Sequence, residues 1–256
     1  MNRMFYICSS LTSLDLSNFN TSNVTYMSSM FDECKSLTSL DLSNFNTSKV
    51  IGMDGMFEYC SSLTSLDLSN FNTSNVTYIW YMFAGCSSLT SLDLSSFNTS
   101  NVKSMANMFS WCSSLTSLDL NSFNTSNVTN MGDMFEECSS LTTLDLNNFN
   151  TSKVTIMANM FSSCSSLTEL NLSNFDTLNV TNMEKMFLNC YKLQTQINIM
   201  NANVTKYSSM FRGALSDPDA YIILGYTTDT QSIAEAMKTT ANTNSSYRAK
   251  ITLKQI

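Results

Sequence analysis

One sentence of sequence is written over and over in this chain. "MFDECKSLTSLDLSNFNTSKVI" at 30–51 returns as "MFEYCSSLTSLDLSNFNTSNVT" at 56–77, and near-copies fill most of the 256 residues. All eight cysteines, from Cys8 through Cys34, Cys60, Cys86, Cys112, Cys138 and Cys164 to Cys190, stand 26 residues apart. A fixed period of this length is the signature of a repeat array. Each unit is too small to bury its own apolar side, so it must stack on its neighbours.

Within a unit, L-x-x-L-x-L reads as a short strand. Leu14 and Leu16 share one side, and Ser13, Asp15 and Ser17 share the other. M-x-x-M-F-x-x-C places Met27, Met30, Phe31 and Cys34 at i, i+3, i+4 and i+7, the apolar stripe of a two-turn helix. "SNFNTSNVT" between them is rich in residues that hydrogen-bond locally, and reads as a turn. All 16 phenylalanines fall in two columns, those of Phe19 and Phe31. Leaving Met1 aside, fifteen of the 18 methionines fall in the columns of Met27 and Met30. Such columns are core.

The expected fold is therefore an α/β solenoid: 26-residue coils of short parallel strand, turn and short helix over residues 1–215, right-handed and about 40 Å long at about 4.8 Å per strand. The pattern frays at "YKLQTQINIMNANVTKYSSMFRGA", which is two residues short and carries Ala214 in place of cysteine. Residues 216–256 leave the repeat. "YIILGY" reads as a strand, "TQSIAEAMKTT" as a helix and "YRAKITLK" as a strand, a small C-terminal α/β cap that would cover the last sheet edge.

Composition removes several functions. The net charge of −7 offers no basic patch for nucleic acid. Histidine, the commonest general base and metal ligand, is absent. With no C-x-x-C, no nucleophile–base pair and no phosphate loop, neither enzyme nor cofactor nor metal centre is expected. No apolar run is long enough for a membrane-spanning helix. No signal peptide is visible, and "MNRMFYIC" is already repeat sequence. The cysteines end apolar stripes and are read as buried free thiols, since stacked side chains pointing in parallel do not suit disulfide geometry.

The motifs "MFxxCSSLTSLDLS" and "SNVTxMxxMF" resemble the BspA-like leucine-rich-repeat surface proteins of bacteria, and "NFNTSNVTYMSSMF" is similar to the variant common in mycoplasma surface lipoproteins. In that variant a Trp-Asp pair often stands where this chain has Phe19 and Asn20. Phe175-Asp176 keeps half of it. The resemblance covers residues 1–214 and implies a cell-surface or extracellular protein engaged in adhesion, aggregation or host-matrix binding. It supplies no catalytic residues.

Outside the core, two features are candidates. Tyr59, Tyr78, Trp80, Tyr81 and Trp111, with Tyr26, break the pattern of small polar residues at outward positions, and include both tryptophans. They form either a ligand-binding patch or a cover for backbone and neighbouring side chains. The strand face carries Asp41, Asp67, Asp93 and Asp119 in one column with Asp15 and Asp145, read either as a secondary site for a cation or basic partner or as a solvated stripe. "NTS" and "NVT" at Asn20 and Asn23 match glycosylation acceptors and follow from the repeat itself. The Thr and Asn columns share only the spacing of flat ice-binding arrays, against which stand the acidic strand face and the twist of ordinary sheets. The functional expectation is a non-enzymatic adhesion or recognition scaffold that binds a protein or glycan on a host or neighbouring cell. The alternative is a structural, self-assembling protein, either a filament joined through an uncapped N-terminal end or a phage-fibre-like receptor-binding segment.

Overall fold

The computed structural model describes residues 1–241 and 245–256. Residues 242–244, inside the expected cap, lie outside the described residues. Successive repeats stack in parallel register. Bridges connect Tyr26 to Gly52, Gly52 to Tyr78, Tyr78 to Ser104 and onward to Lys206, one per coil. The core runs the length of the stack. Leu, Phe, Val, Met and Cys of every middle coil are buried, while Ser39, Asp41 and Ser43 on the opposite side of the leucine segment are exposed.

The expected short helices are not there. M-x-x-M-F-x-x-C forms a run of tight turns in which every fourth residue is left-handed. Ser29 and Glu33 have φ of 51° and 62°, and the two equivalent positions of every coil have positive φ down to Ser209 and Gly213. The hydrogen bonds explain why. The N–H groups of Met27, Ser29, Phe31 and Glu33 donate to the carbonyls of Gly52, Asp54, Met56 and Glu58 in the next coil at 2.7–2.9 Å. Those of Met30, Asp32 and Cys34 close turns to residues three back. A helix would spend all of these donors internally. Spacing excludes it independently. Phe5, Phe31, Phe57, Phe83, Phe109, Phe135, Phe161, Phe187 and Phe211 form one parallel ring stack with centroids 5.5–5.8 Å apart. Packed helices need about 8–10 Å. The i, i+3, i+4, i+7 stripe is buried as expected, but two linked turns bury it as well as a helix does.

The strand column is also looser than expected. In most coils the leucine segment is extended with little inter-coil bonding, such as Thr64 N to Thr38 O at 3.5 Å and Thr116 N to Thr90 O at 3.4 Å. Regular pairing begins late. Among the described residues four parallel strands form one sheet in the order β1 (Glu169–Leu172), β2 (Gln194–Ile199), β3 (Tyr221–Tyr226), β4 (Ile251–Gln255). The segment after 216 thus extends the sheet instead of covering its edge, and β4 becomes that edge. Helix α1 (Gln231–Thr239) covers the end of the core, with Ala234 and Met237 fully buried. The front of "YRAKITLK" belongs to α2 (Ser245–Ala249), where the Arg248 guanidinium donates to the carbonyls of Ala241 and Thr239 and ties that turn to the C-terminal end of α1. Neither helix is long and apolar enough to cross a membrane.

Two buried columns of polar side chains tie the coils together. Cys34, Cys60, Cys86, Cys112, Cys138, Cys164 and Cys190 are buried, unpaired thiols, whereas Cys8, in the first coil and also unpaired, is exposed against expectation. Each buried thiol donates to a phenylalanine carbonyl of the preceding coil at 2.9–3.2 Å. Burial pushes Cys34 up to about 11 and Cys112 and Cys190 to about 12, so these thiols stay protonated. The threonine of "FNTSNV" is buried in every repeat that carries it. Thr99 Oγ1 accepts from Asn124 N at 2.8 Å and donates to Asn124 O at 3.0 Å, clamping both backbone groups of one residue in the next coil. Thr99→Val keeps the shape but strands both groups. It is expected to cost about 1–3 kcal/mol, whereas Thr90→Val on the exposed leucine segment stays within about 0.5 kcal/mol, both read from denaturant unfolding.

Candidate functional site

Outward residues of the turn run alternate with buried ones, so each repeat position makes a column on the surface. Tyr26, Gly52 and Tyr78 occupy one column, and Asn2, Ser28, Asp54 and Trp80 another. The Tyr26 ring folds over Gly52, where an added Cβ would lie 2.8 Å from its Cδ1, so glycine is what lets the ring lie there. Trp80 meets Tyr78 edge-on with centroids 5.1 Å apart. Together these columns and Arg3 enclose a cleft of about 520 Å³ lined by Asn2, Arg3, Tyr26, Ser28, Ser29, Asp54, Tyr78 and Trp80. Some of its polar groups are committed. Asn2 Oδ1 accepts from Ser28 N, Ser28 Oγ donates to Asp54 Oδ1 at 2.6 Å, and the Arg3 guanidinium lies 5.3 Å over the Tyr6 ring. With Arg3 and Asp54 the cleft presents one charge of each sign beside three rings.

Tyr59, Tyr81 and Trp111 do not line this cleft. They stand on neighbouring columns, exposed by 43%, 39% and 52%, with Trp80 half-buried between the two groups. All three occupy left-handed positions, with φ of 52°, 59° and 62°. Tyr59 lies across Gly85, where a Cβ would clash with Cδ1 at 2.4 Å, and Gly85 separates it from Trp111 along one column. Glu58, Asp133 and Glu136 are close enough to Tyr81 to act on its hydroxyl, which burial and these charges push up. Arg3, Asp54, Glu58, Asp133 and Glu136 were not singled out in the sequence. The available signal was that these residues stand in the variable outward columns, which also hold small, aromatic and other charged residues.

The aspartate column has a local purpose. Oδ1 of Asp15, Asp41, Asp67, Asp93, Asp119 and Asp145 each accepts the backbone N–H two residues on, at 2.9–3.0 Å. These bonds end the leucine segment with a turn. The hydrogen bonds to Ser17, Ser43, Ser69 and Ser95 hold Asp15, Asp41, Asp67 and Asp93 below the usual carboxylate range. Depressions on that face measure about 120 and 260 Å³ beside Asp41 and Asp119, well short of the aromatic cleft. Among the described residues no three of His, Cys, Asp and Glu converge to hold a metal.

A model of the family described as "Mycoplasma protein of unknown function, DUF285" matches residues 1–118 and again 112–221. No curated protein and no solved structure matches the chain.

Two glutamates on the turn face titrate near neutrality. Burial, reinforced by Asp32, Glu33 and Asp54, pushes Glu58 up to about 7. Burial, then Asp133 and Glu137 against the opposing Lys185, does the same to Glu136. A carboxyl raised in the folded state binds its proton more tightly there than in the unfolded chain, whose value is near 4.5. Stability is then lost as pH rises from about 4.5 through about 7. The melting temperature is expected to climb as pH falls from 8 to 5, and Glu58→Gln/Glu136→Gln is expected to flatten that climb. An unchanged slope in the double variant contradicts the assignment.

Proposed function

The chain belongs to the Mycoplasma repeat family DUF285, and from that premise we propose that it is a non-enzymatic recognition scaffold of the cell surface, built as a leucine-rich-repeat solenoid of the BspA-like type. The core columns scarcely change along the chain, so differences between repeats are confined to the outside. What varies there is concentrated. Both tryptophans and four tyrosines fall within Tyr26–Trp111 on the turn face. The observation that carries the reading is the cleft of about 520 Å³ walled by Tyr26, Tyr78 and Trp80. Its size suits a small ligand or one anchoring group of a larger one. Rings supply contact area at low entropic cost, and Asn2, Arg3, Ser28 and Asp54 supply the directional partners that a glycan or a protein loop needs. Rigidity comes from the stack beneath, so binding requires little reorganisation.

The test is a panel of immobilised glycans and matrix proteins probed with the purified chain and with Tyr78→Ala/Trp80→Ala. The reading expects a ligand in the panel whose binding falls at least tenfold in the variant, with a melting temperature within a few degrees of the parent. A ligand that binds both proteins equally contradicts it.

A further inference from the structure

The ring triad Tyr59, Tyr81 and Trp111 stands apart from the cleft and differs from it in charge. Its floor is made of small residues. Ala84 and Ser110 are each 2% exposed, and Gly85 is buried beside them. The column holding Ala84 and Ser110 runs from Glu58 to Glu136, so a carboxylate closes the trough at each end. Asp133 adds a third near Tyr81. These carboxylates are poorly compensated. Among the described residues the one ion pair is Lys35 with Glu33, and Lys185 acts on Asp133 and Glu136 without forming one.

The rings are also held at a cost. An L residue in the left-handed region is strained, most of all a bulky one. Six of the fifteen other occupants of these two positions, Asn107, Asn159, Asn189, Gly55, Gly85 and Gly213, take that conformation readily, while Arg3, Ile7, Glu33, Glu137 and Lys185 share the strain of the rings. Three large rings in three consecutive coils therefore oppose local stability, and burial does not repay them, since they remain exposed.

We propose that this triad is the docking site of an extended basic segment of a partner protein, with lysine or arginine side chains over the rings and against Glu58 and Glu136. Ring faces attract cations, and they do so more strongly where carboxylates share the site. An anionic segment would meet three carboxylates. The dimensions select an extended segment. Glu58 and Glu136 are three coil steps apart, about 15 Å, which four to five residues of extended chain span at about 3.3 Å each. Two basic residues four apart reach both ends while the segment between them crosses the floor.

The probe is a dye-labelled peptide, Lys-Ser-Thr-Ser-Lys, followed by fluorescence anisotropy at low salt and pH 8.5, where Glu58 and Glu136, pushed up to about 7, are ionised and lysine is still protonated, beside a copy with norleucine for both lysines. The parent and Trp80→Ala are expected to bind the lysine peptide alike, and the norleucine copy at least tenfold more weakly. Glu58→Gln/Glu136→Gln and Trp111→Gly are each expected to lose at least tenfold, while Trp111→Gly melts no lower than the parent because the strain is relieved. Equal binding of the norleucine copy, unchanged binding in the triad variants, or lysine amide alone binding as tightly as the peptide overturns the proposal. So does the absence of binding by the parent. Loss of binding in Trp80→Ala alone would place the segment in the cleft instead and equally overturn it.

Discussion

Everything in this molecule depends on backbone hydrogen bonds that leave one coil and enter the next. The left-handed residue at every fourth position of the turn run makes them possible. It points alternate N–H groups along the stack, where the Met27, Ser29, Phe31 and Glu33 amides find the carbonyls 25 residues later. That ladder sets the height of each coil, and the height sets what the side chains do. Phenylalanine rings meet face to face at 5.8 Å, the thiols reach the carbonyls of the coil before, and the threonine clamps close. On the leucine side the bonding is loose through most of the array, so the turn side and the core carry the order that a regular sheet would otherwise supply.

The same ladder explains the surface. Outward positions repeat with the coil spacing, so one substitution in one repeat is a local event on an otherwise uniform face. Gly52 beneath Tyr26 and Gly85 beneath Tyr59 show this pairing twice, with a ring in one coil lying over a glycine in the next. Two environments result, a cleft of mixed charge that reaches from Asn2 to Trp80 and an acidic trough that reaches from Glu58 to Glu136.

Much of this was legible in the sequence. The cysteine ruler defines the repeat, and the Phe and Met columns identify the core residue by residue. The helices were misread because Met27, Met30, Phe31 and Cys34 satisfy the helical period, while a period says which residues face inward and not which backbone turns them there. The corrective signal was present in Gly55, Asn107, Asp133 and Asn159 at one position and Gly85, Asn189 and Gly213 at another, residues that tolerate positive φ. The buried threonine was hidden inside a polar run that reads as a solvated turn. The aromatic candidates were found by their rarity, but their division into two groups depends on which column each occupies, and Asp54, Glu58 and Glu136 gain meaning only beside those columns.

The most direct test of this account is the helix content of the purified chain by far-ultraviolet circular dichroism. The ladder predicts a helical contribution from the nine residues of α1 and the five of α2 and little else. A helical signal of about a quarter of the chain or more, the amount expected if each M-x-x-M-F-x-x-C segment were a two-turn helix, would contradict it. The coils could not then stack at the spacing on which the core and both surface sites depend.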